Sequence, residues 1–353
     1  MTVRKNPNTP PSPYAVWQEG EGVPIVSGLM VADIRGDLPT AMWPRKGVKG
    51  AFIKLLGGEE SMDSTIVDIP PQGHTEPEKY MFEEEIVMLS GRGATTIWLE
   101  GGKKQTFEWQ EGSVFSPPMN CWRQHFNGSP DQKVRLLTVS NAPVMFNLFR
   151  SADFIFNCDH AFKDRFSGEE DYFSGKGQAL PGMIWRSNFI PDINSFRLQD
   201  YSNRGAGGTG AMFEMANNTI QSHVAQFPVA TYKKAHRHGP GAHILILSGE
   251  GYSLMWEDGQ PKEKLDWKPG SLFSPPDMWF HQHFNSGREP ARYFAVHYGY
   301  WRVVVEDMGP ESGHMLAGNE IDYPQEDDEV FQIFQAELAK NGVKPKPLAE
   351  WRK

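Results

Sequence analysis

The chain has 353 residues, 39% of them hydrophobic and 22% charged, with a formal net charge of −9. That length supports one large core or two ordinary ones. No apolar run approaches the ~18 residues of a membrane-spanning helix, and no Lys/Arg cluster offers the basic patch of a nucleic-acid binder.

In chain order, residues 1–60 read as a Pro/Gly-rich arm with some strand character. Its opening stretch, Met1 to Pro10, lacks the apolar core of a secretory signal. The two cysteines, Cys121 and Cys158, are too few for a disulfide framework or a four-cysteine zinc site. Both features predict a reducing, cytoplasmic home. Residues 61–145 read as short strands between turns, and residues 146–225 as an aromatic-rich bridge with Phe146, Phe149, Phe154, Phe156, Phe162 and Phe166, partly helical. Residues 226–305 again read as strands: Ile244–Leu247, Tyr252–Trp256, Ser271–Phe273 and Arg292–His297, with a hairpin signal at Glu257 to Gln260. In the tail, residues 306–353, Asp327–Asn341 reads as a helix. Val330, Phe331, Phe334 and Leu338 share its apolar face, and Gly342 closes it.

The two strand-rich segments are copies of one another. At an offset of 158 residues, 19 of the 50 positions from Glu78 to Asn127 match their partners from His236 to Asn285. The matches include Trp98/Trp256, Trp109/Trp267 and the run Gln124–Asn127 over Gln282–Asn285. The repeated tryptophans read as packing. Such spacing predicts an all-β molecule of two small antiparallel jelly-roll barrels with short helices in the bridge and tail.

Six of the 11 histidines fall between His236 and His297. On a strand, His236 and His238 project to the same side. His281, just after the Pro275-Pro276 turn, would bring a third neutral imidazole to the same point, a ligand set suited to Fe, Mn, Co, Ni or Zn. His283, two residues on, points into the same cavity as a candidate catalytic group. Ile244 and Ile246 would make an apolar wall, with Trp279, His297, Tyr252 and Gln282 as further candidate substrate contacts. His243 turns the other way by strand alternation, with a fourth-ligand role as its alternative. In the first copy, Glu78, Tyr80 and Arg123 stand where His236, His238 and His281 stand in the second. That predicts a metal-free barrel with Arg123 paired to Glu78 or Glu84, and His74 with Glu76 as the alternative, displaced site. His125 remains as the counterpart of His283.

These residues resemble the cupin superfamily, and the chain looks like a bicupin. His236-x-His238 with Gly249 is similar to the first cupin motif, with Ala242 in the place of its Glu. Gly270, Pro276, His281 and Asn285 are similar to the second motif. The all-histidine set resembles gentisate and salicylate 1,2-dioxygenases and their 1-hydroxy-2-naphthoate relatives. That likeness implies Fe(II) on His236, His238 and His281, with O2 and a small aromatic hydroxy acid or enolisable compound as substrates and His283 bonded to the substrate. Ile244 stands where that family places an arginine. The resemblance also implies a homo-oligomer, dimer to tetramer. The other readings are a non-oxidative cupin enzyme (isomerase, hydrolase, lyase or decarboxylase using Mn, Ni or Zn) and a non-catalytic binding or storage bicupin.

Overall fold

A computed structural model describes residues 10–58, 61–205, 207–239, 241–299 and 319–347. Two β-barrels sit side by side. In the first, a large sheet orders Ile25–Gly28, Val48–Leu55, Asp63–Ile69, Val134–Ser140, Glu84–Ser90, Val114–Phe115 and Phe189–Ile190. It faces a three-stranded sheet of Trp122–Asn127, Arg92–Trp98 and Gln105–Gln110. In the second, the large sheet carries Thr209–Glu214, Ile220–Phe227, Ala291–Tyr298, His243–Ser248 and Leu272–Phe273 at its centre. Opposite it lie Glu263–Trp267, Gly251–Trp256, Phe280–Asn285 and Ala235–His236. The strands expected in the second copy are all present, each extended or shortened by one or two residues at its ends.

The structure carries the duplication beyond the two strand-rich segments. Met30–Val31, in the arm, pairs with Leu272–Phe273 of the second barrel, while Phe189–Ile190, in the bridge, pairs with Val114–Phe115 of the first. The surrounding hydrogen bonds repeat as well. Ile34 N–H donates to the Gly270 carbonyl and Ile193 N–H to that of Gly112, both at 2.8 Å. Each barrel therefore borrows an edge strand from the other half of the chain, which leaves fewer exposed edges. Gly112 and Gly270 are needed for this exchange. Both adopt positive φ (84° and 93°), and a Cβ at either would lie 2.5 Å from the Asp192 or Asp33 carboxylate of the incoming strand.

The largest apolar cluster lies between the barrels rather than inside either one. It includes Ile53, Ile66, Leu137 and Val139 from the first half with Phe213, Val224, Phe294 and Val296 from the second. Helix α1 (Pro13–Gly20), which the sequence reading did not anticipate, seats Trp17 against Phe146 of α2 (Ala142–Phe149), with rings stacked at 4.4 Å. Helix α3 (Ala152–Asn157) follows. Helix α4 (Asp328–Lys340) buries Val330, Phe334 and Leu338 against the outer face of the second barrel, where Phe334 meets Tyr232 and Phe284. Among the described residues, no helix is long and apolar enough to cross a membrane.

Candidate metal centre

His236 lies on a short strand bridged residue-to-residue with His281. His238 follows two residues later, where the strand gives way to a loop. That loop is clamped to the turn before His281: Met278 N–H donates to the His238 carbonyl at 3.0 Å, and Gly241 N–H to the Asp277 carboxylate at 2.7 Å. The ring centroids stand 4.2 Å (His236–His281), 5.0 Å (His238–His281) and 5.3 Å (His236–His238) apart. One nitrogen from each ring lies within 4.8 Å of the other two. Metal–imidazole bonds of about 2.0–2.1 Å place such nitrogens about 3–4 Å apart, so small ring rotations suffice to close on one ion.

The donor set also fits in its protonation. The Nδ1–H of His281 donates to the Trp279 carbonyl at 3.1 Å. A carbonyl only accepts, so Nε2 keeps its lone pair for an ion. Burial, followed by the charges of His238 and His283, holds His281 well below the usual histidine pKa. The ring is neutral at physiological pH, as a ligand must be.

His283 points into the same barrel and is fixed from behind. Trp267 Nε1–H donates to Ser253 Oγ at 3.0 Å, and Ser253 Oγ lies 2.8 Å from His283 Nδ1. The serine hydroxyl, with one proton to give and two lone pairs to accept, holds the ring through Nδ1 and leaves Nε2 facing the cavity. Burial, then the charges of Lys233 and Arg204, bring the His283 pKa down to about 3. The ring is therefore neutral rather than an acid at neutral pH. The same relay runs Trp109–Thr95–His125 in the first barrel, at 2.8 Å for both contacts.

Ile244 and Ile246 face inward with Phe227, Met255, Phe273 and Tyr293, and half-buried Trp279 packs against this group. His297 lies half-buried on the same strand face as Tyr293, its ring 5.8 Å from that of His223. Two candidates must be corrected. Tyr252 is turned outward, stacked at 4.5 Å on Phe284 beneath α4. Gln282, between the inward His281 and His283, also faces out, where its Nε2 donates to Glu326 at 2.6 Å. Strand alternation excludes both from the cavity. His243 does not join the ligands: its Nδ1 lies 2.6 Å from Ser64 Oγ of the other barrel. The sequence reading did not single out Lys233 and Tyr293, a buried pair whose Nζ and hydroxyl lie 2.8 Å apart. Lys233 lies three residues before His236, a proximity that was visible, whereas nothing in the sequence marks Tyr293.

In the first barrel, Arg123 forms an ion pair of 2.8 Å with Glu84, both almost fully buried, and its guanidinium lies 3.6 Å from the Tyr80 ring centroid. Tyr80 donates to Glu84 at 2.5 Å, and Lys46 holds Glu78 at 2.7 Å. Burial raises the Glu78 pKa, but Lys46 and Arg123 outweigh it and the carboxyl stays below its usual range. His74 is bonded to Gln124 and joins no metal-like cluster among the described residues.

No protein-family model matches the chain, and no curated protein does. Solved structures match in fold. An oxalate decarboxylase of Bacillus subtilis superposes with a TM-score of 0.53 at 16% identity, over 78% of this chain and 79% of the enzyme. The fold is that of a bicupin. A second structure of that enzyme, described for its Mn(II) centres, matches the chain with a TM-score of 0.52 at 15% identity, over 78% of each chain. The likeness is one of architecture, two barrels in one chain.

Proposed function

We propose that this bicupin is a divalent-metal enzyme acting on a small anionic substrate, with His236, His238 and His281 as the metal ligands. The convergence of those three imidazoles carries the proposal. The Mn(II) oxalate decarboxylase fold neighbours support a non-oxidative reaction, such as decarboxylation, with Mn, Ni, Co or Zn as the ion. When bound, the ion would supply Lewis-acid stabilisation of charge developing on a chelated substrate. Around it, His283 would hydrogen-bond a substrate oxygen, Ile244 and Ile246 would exclude water, and Trp279 would cover a flat face. His297 would line the far wall. A second reading, an Fe(II) dioxygenase acting on an aromatic hydroxy acid with O2, is favoured by the all-histidine ligand set, with Ala242 in the acidic position, and by the apolar wall. Exposed Leu148, Phe149 and Phe154 on the bridge support a homo-oligomer, dimer to tetramer.

The test is metal content and turnover of protein purified without oxygen, screened with oxalate, hydroxylated aromatic acids and 1,3-diketones. The expected result is a stoichiometric metal that His236→Ala loses together with activity, and turnover that persists without O2. Turnover strictly dependent on O2 would select the second reading. Full activity in metal-free His236→Ala would overturn both.

A further inference from the structure

The duplicated fold provides its own control. Features found in both barrels, such as the Trp–hydroxyl–His relay, belong to the architecture. Inward features found only beside the three histidines belong to the site. Lys233 and Tyr293 are such a pair. The N–H of Lys233 donates to the His283 carbonyl at 3.0 Å, as that of Thr75 does to His125 at 2.9 Å, so lysine replaces threonine. Tyr293 pairs with Ala225 and Ile246 as Leu136 pairs with Val67 and Met88, so tyrosine replaces leucine. The two changes meet: Lys233 Nζ donates to the Tyr293 hydroxyl at 2.8 Å.

The lysine amine is in an unusual place. Lys233 is only 4% exposed, and Nζ lies 4.7, 5.7 and 5.8 Å from the ring centroids of Tyr293, Phe227 and Tyr201. No carboxylate pairs with it among the described residues. The neighbouring buried cation, Arg204, is already paired with Glu320. Burial, then the charge of Arg204, pushes the Lys233 pKa well below its usual value. A buried cation without a counter-ion is costly. Ring contacts connect its partner to the triad: the Tyr293 ring is 5.5 Å from His283, which is 5.7 Å from His281.

We propose that Lys233, held by Tyr293, is the anion anchor of this cavity, so that the substrate carries a carboxylate that pairs with the lysine in addition to the oxygen that meets the metal. Hydroxy-carboxylates and dicarboxylates have that chemistry. The inference rests on the metal-enzyme reading, and its test separates the two. Metal-loaded protein is titrated calorimetrically with 2-hydroxybenzoate and with 2-hydroxybenzamide, which differ in the carboxylate charge, and metal content is measured in the same samples. Wild type is expected to prefer the carboxylate. Lys233→Met is expected to keep its metal and lose roughly 10-fold or more of that preference, while Tyr293→Phe, which removes only the hydroxyl that positions the amine, loses less of it. Equal affinity of wild type for both compounds overturns the anchor without the need for any variant. So does a preference that survives in Lys233→Met, or one that disappears only in Tyr293→Phe. Failure of the wild type to bind metal would instead overturn the reading on which the anchor rests.

Discussion

At the scale of single residues, the two barrels show two ways of filling one polar niche. Where the second gathers imidazoles, the first closes Arg123 on Glu84 with Tyr80 bonded to the carboxylate. Removing one member of such a buried pair strands the other charge, whereas removing both removes the desolvation cost as well. Glu84→Gln is expected to destabilise the protein by about 3–5 kcal/mol, and Arg123→Met combined with Glu84→Leu to recover more than half of that loss. Denaturant unfolding of the single and double variants checks this, and equal losses would refute it. The errors of the sequence reading also lie at this scale. That Gln282 faces away was legible, since it stands between two inward histidines. The direction of Tyr252 was not, because a strand's phase is fixed only by its partner, here Phe284 facing Tyr252 and His283 facing Ser253.

At the scale of elements, local pattern and long-range pairing part company. Helix α4 was readable from its periodic apolar face and from Gly342 just beyond it, which takes φ 65°. The exchanged strands were not. Met30–Val31 and Phe189–Ile190 are two residues each, too short to show any alternation, and their partners lie far along the chain. The glycines that admit them were visible as repeats, but without a reason. Gly270→Ala forces a side chain into positive φ and against Asp33, and is expected to cost about 1–3 kcal/mol. It should also release the arm, so that limited proteolysis cuts near residue 30 sooner than in wild type. Unchanged cleavage would show that the arm is held by other contacts.

At the scale of the whole molecule, the barrels meet through an apolar core that contains two ionisable groups at equivalent positions, Glu85 and His243. The Glu85 carboxyl lies against Ser222, and burial raises its pKa from 4.5 to about 8. The imidazole of His243 meets Ser64, and burial lowers its pKa from 6.5 to about 3. The signs are opposite. The stability linked to neutral Glu85 is full below its unfolded value and is lost as pH rises through about 8. That linked to neutral His243 is present above about 6.5 and is lost as pH falls towards about 3. Glu85→Gln is therefore expected to raise the melting temperature by a few degrees near pH 9 and to change it little near pH 4. A shift of equal size at both pH values would mean that the carboxyl does not titrate on unfolding.

The sequence by itself determined the duplication, the β architecture, the loss of ligands from the first copy and the three histidines of the second. These are written in spacing and in residue type, which local chemistry can read. Only the tertiary structure decided which half lends a strand to which barrel, which side chains enter the cavity, and that a lysine and a tyrosine far apart in sequence meet beside His283. Those facts depend on the register between strands distant along the chain, and a one-residue slip in register would turn every side chain of a strand to the opposite face.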